Sequence, residues 1–356
     1  MDTADDSRSD APAGSASVMT PAHHRAAHVT ADSDEFITMC AQTLRPDGLH
    51  HVAAYHRGVY NYSVDILDGL WQAGSLPAGT DTRSSRELYI RVGRQLNFLL
   101  GRMDRALRPV ESGRLIRTVL RLGEASVFHY YVRPGEYLTG VSLGRDNDES
   151  GDRAMAGLAT RFGELLRQRG LNYGGFEEDT QKSEEGPRPG SAAVPGPSTT
   201  KDALHFERFG ILGPNSARVR EACISALSAE DLHYAAYVDP ACGFLSADVL
   251  ELATLAPYFR NISRPGRRDR YQDIARRLPF VVARLDHSLK AVLPGRLTRT
   301  VLDVDEGALY YFAAGDGPFL LGVTLHQDRV FHADLRMNML CNSVRHLLKE
   351  GDGNRN

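Results

Sequence analysis

The chain has 356 residues, 42% hydrophobic and 24% charged, with a formal net charge of −3, which suits a globular protein of about two domains. That balance excludes a whole-chain field drawing it to nucleic acid or an anionic membrane, and no apolar run approaches the roughly 18 residues of a membrane-spanning helix. Cys40, Cys223, Cys242 and Cys341 show no CxxC and no ligand-spaced histidine, so they read as reduced thiols and not as a zinc site or disulfide framework.

Residues 1–33 are rich in Asp, Ser, Ala and His. They lack the basic-then-apolar order of a secretory signal and any lipidation box, so they read as a disordered tail on a cytoplasmic protein. Residues 34–171 form the first expected domain. A short helix over 35–44 leads to strands over 50–55 and 59–66. Val92, Leu96, Leu99, Met103 and Leu107 then trace one face of a long helix, whose other side carries Arg94 and Arg102.

Three strands follow over 114–122, 126–132 and 137–143, separated by Gly123-Glu124 and by Arg133-Pro134-Gly135-Glu136, turn chemistry that makes them antiparallel. On the first of them, alternation puts Ile116, Thr118, Leu120 and Leu122 on the expected buried side. Leu115, Arg117, Val119 and Arg121 fall on a mixed side that could serve for docking. A closing helix carries Met155, Leu158, Phe162, Leu165 and Leu166.

Residues 172–214 are the expected flexible linker, of which 172–200 hold Gly, Pro, Ser and a Glu-Glu pair with no apolar period. Residues 215–350 form the second expected domain, with a helix over 217–227, strands over 233–238 and 241–245, and a long helix faced by Ile274, Leu278, Val281, Leu285 and Leu289. Arg276 and Arg284 lie on its other side. Three strands follow, turning at Asp305-Glu306-Gly307 and Gly315-Asp316-Gly317, and a closing helix carries Met337, Leu340, Val344, Leu347 and Leu348. Residues 351–356 read as a disordered end. Gly315-Asp316-Gly317 lacks phosphate-loop spacing and sits between strands, so it reads as a turn.

The second domain repeats the first. GRLIRTVL at 113–120 returns as GRLTRTVL at 295–302, an offset of 182. The same offset matches Arg94, Leu96, Phe98, Arg102, Asp104 and Leu107 to Arg276, Leu278, Phe280, Arg284, Asp286 and Leu289, and Gly140 and Met155 to Gly322 and Met337. Upstream, AAY at 53–55 matches AAY at 235–237, and Cys40 with Leu44 matches Cys223 with Leu227 once the offset drifts by one. The expected fold is α/β of the α+β kind: two tandem domains, each a five-stranded antiparallel sheet with a long helix on one face and terminal helices on the other.

This element order, with TRTVLDVDEGALYYFAAGDGPFLLGV over 298–323 leading into the closing helix, resembles the roadblock/LC7 family, especially its actinobacterial members. The resemblance covers 274–348 best, 92–166 less closely, and the first helix and strands of each domain weakly. It implies pairing through long helices and neighbouring edge strands, within one chain or in a homodimer, and a Ras-like small GTPase as protein partner. Two departures stand out: two units share one chain, and about 20 polar residues separate the second strand from the long helix.

No GxSxG, HExxH, GxGxxG or Walker pattern occurs in a fitting context, and His129 matches Tyr311 in the other domain. The expectation is therefore a non-catalytic regulator or scaffold with no cofactor, metal or nucleic acid. Its candidate interaction surface comprises Arg94, Arg102, Arg117, Arg276, Arg284 and Arg299. The alternatives are a homo-oligomeric structural protein of the same fold without a GTPase, and a small-molecule sensor.

Overall fold

The computed structural model describes residues 19–77, 79–168, 170–176, 203–213, 215–290 and 292–353. The first half runs β1 (Ala22–Arg25), α1 (Asp34–Thr43), β2 (His51–His56), β3 (Val59–Asp65), α2 (Leu67–Gln72), α3 (Thr82–Leu107), β4 (Leu115–Leu122), β5 (Ala125–Arg133), β6 (Glu136–Leu143) and α4 (Asp148–Leu165). The second half runs β7 (His205–Gly210), α5 (Ser216–Ala226), β8 (Tyr234–Asp239), β9 (Gly243–Asp248), α6 (Arg264–Lys290), β10 (Leu297–Val304), β11 (Gly307–Ala313), β12 (Phe319–Thr324) and α7 (Val330–Gly353).

Among the described residues, twelve strands join one antiparallel sheet in the order β1-β3-β2-β6-β5-β4-β10-β11-β12-β8-β9-β7. The halves meet at β4 and β10, the two strands that carry the repeated GRL-RTVL sequence, with Val119 opposite Val301. The repeat is closest where each copy has to pair with the other. Both side-chain rows of β4 are therefore covered, and Arg121 alone of its residues is not fully buried. This corrects the expectation of one open, mixed side: a strand central to a sheet with helices on both faces has no solvent side.

The long helices α3 and α6 pack on one face. His129 on β5 bonds Asn97 of α3 at 2.9 Å, whereas its neighbour Tyr130 donates to the Asp152 carbonyl of α4 on the other face at 3.0 Å. Gly140 and Gly322 lie under Met155 and Met337, where a Cβ would come within 2.6 and 2.3 Å of the sulfur atoms. That close approach explains why both residue pairs recur at the same offset.

Each long helix is capped and pinned in the same way. Asp81 and Ser263 accept from the Arg83 and Gly266 amides, both at 3.1 Å. Arg86 forks onto buried Asp65 at 2.6 and 2.8 Å, and Arg268 onto buried Asp248 at 2.8 and 2.8 Å. At the far ends, Asp104 and Asp286 accept from the Leu115 and Leu297 amides at 2.8 and 2.7 Å, fixing each helix to the strand that follows it.

Several expected boundaries differ. Within the expected tail, residues 1–18 lie outside the described residues, but Ala22–Arg25 pairs with β3 as a sixth strand; AHHR has no apolar alternation to announce it. Within the expected linker, 177–202 lie outside the described residues, while Tyr173 and Phe176 are buried and His205–Gly210 pairs with β9. At the C-terminus, α7 continues to Gly353, and 354–356 lie outside the described residues.

The AAY match is one residue out of register. His50 and His233 each accept from a strand-end amide, Leu143 at 2.8 Å and Leu325 at 3.0 Å, so the offset there is 183. Ala54 faces Leu138 while Tyr237 faces Leu320, which makes Tyr237 the counterpart of Ala54 and Val238 the counterpart of Tyr55. A one-residue slip turns a strand side chain to the other face of the sheet.

Candidate protein-docking face

Four of the six candidate arginines lie where a partner could reach them. Arg94 and Arg102 on α3, and Arg276 and Arg284 on α6, are exposed. Arg94 sits over the Tyr60 ring at 5.9 Å and Arg102 over the Phe98 ring at 5.9 Å, while Arg276 pairs with Asp273 at 3.1 Å. Between each pair stands a phenylalanine on the outer helix surface, Phe98 at 60% exposure and Phe280 at 79%. Arg94, Phe98 and Arg102 are spaced by four residues, as are Arg276, Phe280 and Arg284, so each triplet forms one ridge.

The ridges are strongly basic. Leaving aside the buried Arg86, Arg267 and Arg268, α3 carries five arginines against two carboxylates, and α6 six basic residues against three, although the whole chain carries −3. The charge that is absent from the molecule as a whole is concentrated on its long-helix layer.

Arg117 and Arg299 are not part of this face. Both lie under α4 and α7, on the opposite side of the sheet. The Arg117 side chain is 4% exposed and pairs with Asp152 through Nε at 3.0 Å and through Nη2. It also donates to the Tyr130 hydroxyl at 3.1 Å and reaches Asp303 across the seam at 3.3 Å. Arg299 pairs with Asp334 and, across the seam, with Asp148 at 3.5 Å, which also binds Arg121.

Asp152 and Asp334 share the 182 offset, so the two arginine–carboxylate pairs are counterparts. Burial pulls the Arg117 guanidinium toward neutrality, but Asp152, Tyr130 and Asp303 outweigh it and hold the cation firmly charged. Burial pushes the Asp303 carboxyl up to about 6 against the opposing pull of Arg117. This cluster joins the halves and offers a partner nothing. Strand alternation separates these arginines from the buried set, and it carries no information on what a helix will bring over them.

No group of three or more His, Cys, Asp or Glu residues is placed to hold a metal ion among the described residues. Cys40, Cys223 and Cys341 are buried and Cys242 is exposed; burial pushes the Cys40 and Cys223 thiols up to about 12. His129 is enclosed, and burial holds it neutral down to about 3. Among the described residues, no helix is long and apolar enough to cross a membrane.

In each half, the pairing β3-β2-β6-β5-β4, or β9-β8-β12-β11-β10, with the long helix between the second and third of these strands in chain order, reproduces the architecture implied by the sequence resemblance. Each half has a roadblock/LC7-type fold. No family model matches the chain, and no curated protein matches it. Solved structures similar to it include MglB with a tetrameric arrangement, which is 17% identical with a TM-score of 0.32 over 41% of this chain and 98% of its own. The gliding protein MglB from Thermus thermophilus is also 17% identical, with a TM-score of 0.32 over 40% of this chain and 98% of its own.

Proposed function

We propose that the chain is a non-catalytic regulator or scaffold of the cytosol that docks a Ras-like small GTPase on the outer surface of its two long helices. The observation that carries the docking role is the recurrence of exposed Phe98 as exposed Phe280, each between two exposed arginines. Folding accounts for repeated buried residues, but places no demand on a phenylalanine that faces water. Aromatic and arginine side chains are the types that dominate binding energy at protein interfaces, and the basic ridge suits an acidic partner surface. The GTPase assignment rests on the resemblance of 298–323 to the roadblock/LC7 pattern.

The test is retention of small GTPases from the same cell, each loaded with GDP or a non-hydrolysable GTP analogue, on the full-length protein. The expected result is nucleotide-dependent retention of one of them that Phe98→Ser and Arg102→Glu abolish. Retention of none by the folded protein overturns the GTPase reading, and retention indifferent to both substitutions overturns the docking face.

A further inference from the structure

The two halves differ where Tyr55 and Val238 correspond. In the first half the Tyr55 ring fills the space under α3, its hydroxyl donating to the Ile90 carbonyl at 2.9 Å. Tyr60 lies edge-on at 6.1 Å. The ring fits only because residue 93 is glycine: a Cβ there would sit 2.1 Å from the Tyr55 hydroxyl. In the second half Val238 and Ala275 take the places of Tyr55 and Gly93, and no ring occupies the space. What remains is a groove of about 560 Å³ whose walls include Val238, Phe244, Phe209, Ala275, Pro279 and Phe280.

Pro279 stands inside α6 and has no amide hydrogen, so the Ala275 carbonyl lacks the donor that position i+4 normally supplies. The groove combines aromatic walls with Gln272, the counterpart at offset 182 of Ile90, whose carbonyl accepts from the Tyr55 hydroxyl in the first half. Arg276, at its edge, belongs to the basic α6 ridge, and Phe280 is shared by ridge and groove, so the two surfaces are continuous. Asp239 is the carboxylate on the opposite edge.

We propose that this groove receives a tyrosine side chain of a protein partner, flanked in that partner by acidic residues: the ring against Phe244 and Phe209, the phenol hydroxyl donating to the backbone of α6, and the carboxylates facing Arg276. The first half supplies the precedent for the ring within the same molecule, and the charge of α6 supplies the complement for the flanks. The site does not depend on the partner being a GTPase.

The test uses the full-length protein and 3-(4-hydroxyphenyl)propionate, which joins a phenol to a carboxylate, followed by amide shifts in NMR spectra. The expected result is saturable shifts confined to residues around 238–244 and 272–280, with a Kd of about 1–10 mM for a ligand of about a dozen non-hydrogen atoms. 3-Phenylpropionate, lacking the hydroxyl, should bind several-fold more weakly. Val238→Tyr with Ala275→Gly rebuilds the packing of the first half and should abolish the shifts; if that variant does not fold, Ala275→Met fills the same space from the helix.

Absence of saturable shifts overturns the proposal, as does binding unchanged in the filled variant. Self-association of the protein that the filled variant removes assigns the groove to a second copy and overturns it too. Failure here leaves the GTPase reading standing, because that reading is tested through Phe98 and Arg102 in the other half.

Discussion

Arg117, from the first half, and Asp303, from the second, lie directly opposite each other on β4 and β10, and their side chains meet at 3.3 Å with no exposure to water at Asp303. The same Asp303 carboxylate accepts from the Gly174 amide at 2.7 Å and from Gln327 at 2.7 Å, so one residue ties together both halves and the start of the connecting segment. Removing the cation leaves Asp152 and Asp303 buried without it. Arg117→Met should therefore destabilise by about 3–5 kcal/mol, and Arg117→Lys should recover only part, since an ammonium cannot fork onto Asp152. Urea unfolding measures both; a loss below about 1 kcal/mol for Arg117→Met would contradict a buried network.

Acid should weaken the fold through its histidines. Burial lowers His51 to about 4, and His129 and His233 to about 3. A histidine depressed below its unfolded value of about 6.5 contributes stability above that pH and loses it as pH falls toward the folded value. Asp303, raised to about 6, acts in the opposite sense, opposing folding above pH 6 and relieving that cost as it protonates. Burial also raises Asp334 and lowers His24 and His50; the five histidines outweigh the two carboxylates, so stability falls between pH 6.5 and 5. His51, whose ring nitrogens have no hydrogen-bond partner, is the cleanest case: His51→Phe should remove about 2 kcal/mol of the loss at pH 5. Unfolding midpoints over this range decide it, and an unchanged slope refutes the assignment.

Leu278 and Leu285 are buried on the inner face of α6. Truncating either to alanine should cost about 2–5 kcal/mol. By contrast Phe280→Ser should change stability by no more than about 0.5 kcal/mol, because its ring faces water. Thermal unfolding of the three variants separates them, and a large loss for Phe280→Ser would place that ring in a packed environment.

The edges of β4 and β10 cover each other. Residues 19–176 and 203–353 produced as separate chains should each self-associate, since each exposes an eight-residue apolar strand edge, and mixing them should give a one-to-one complex. Two stable monomers that ignore each other, seen by sedimentation, would contradict the seam.

Periodicity locates the long helices because Val92, Leu96, Met103 and Leu107 must all face the sheet, and it locates β4 to β6 and β10 to β12 through their turns. It does not find β1, since AHHR has too few residues to alternate, or β7, whose Phe206 and Phe209 are three residues apart and out of phase with a strand. It also aligns two identical AAY triplets that the sheet places one step apart, because strand identity depends on the partner across the ladder and not on the letters alone. Of the candidate surface, the helical arginines are legible from their phase against the apolar stripe. Arg117 and Arg299 are not, because the carboxylates that bury them lie 35 residues further on in each half.

The β4–β10 seam is made within a single polypeptide, and a partner formed of two identical chains would present every feature of its surface twice. Here the groove beside Val238 exists on one side and is closed by Tyr55 on the other. A molecule that engages it does so once per chain, with a fixed orientation and no second equivalent site, so the joining of the halves sets the stoichiometry.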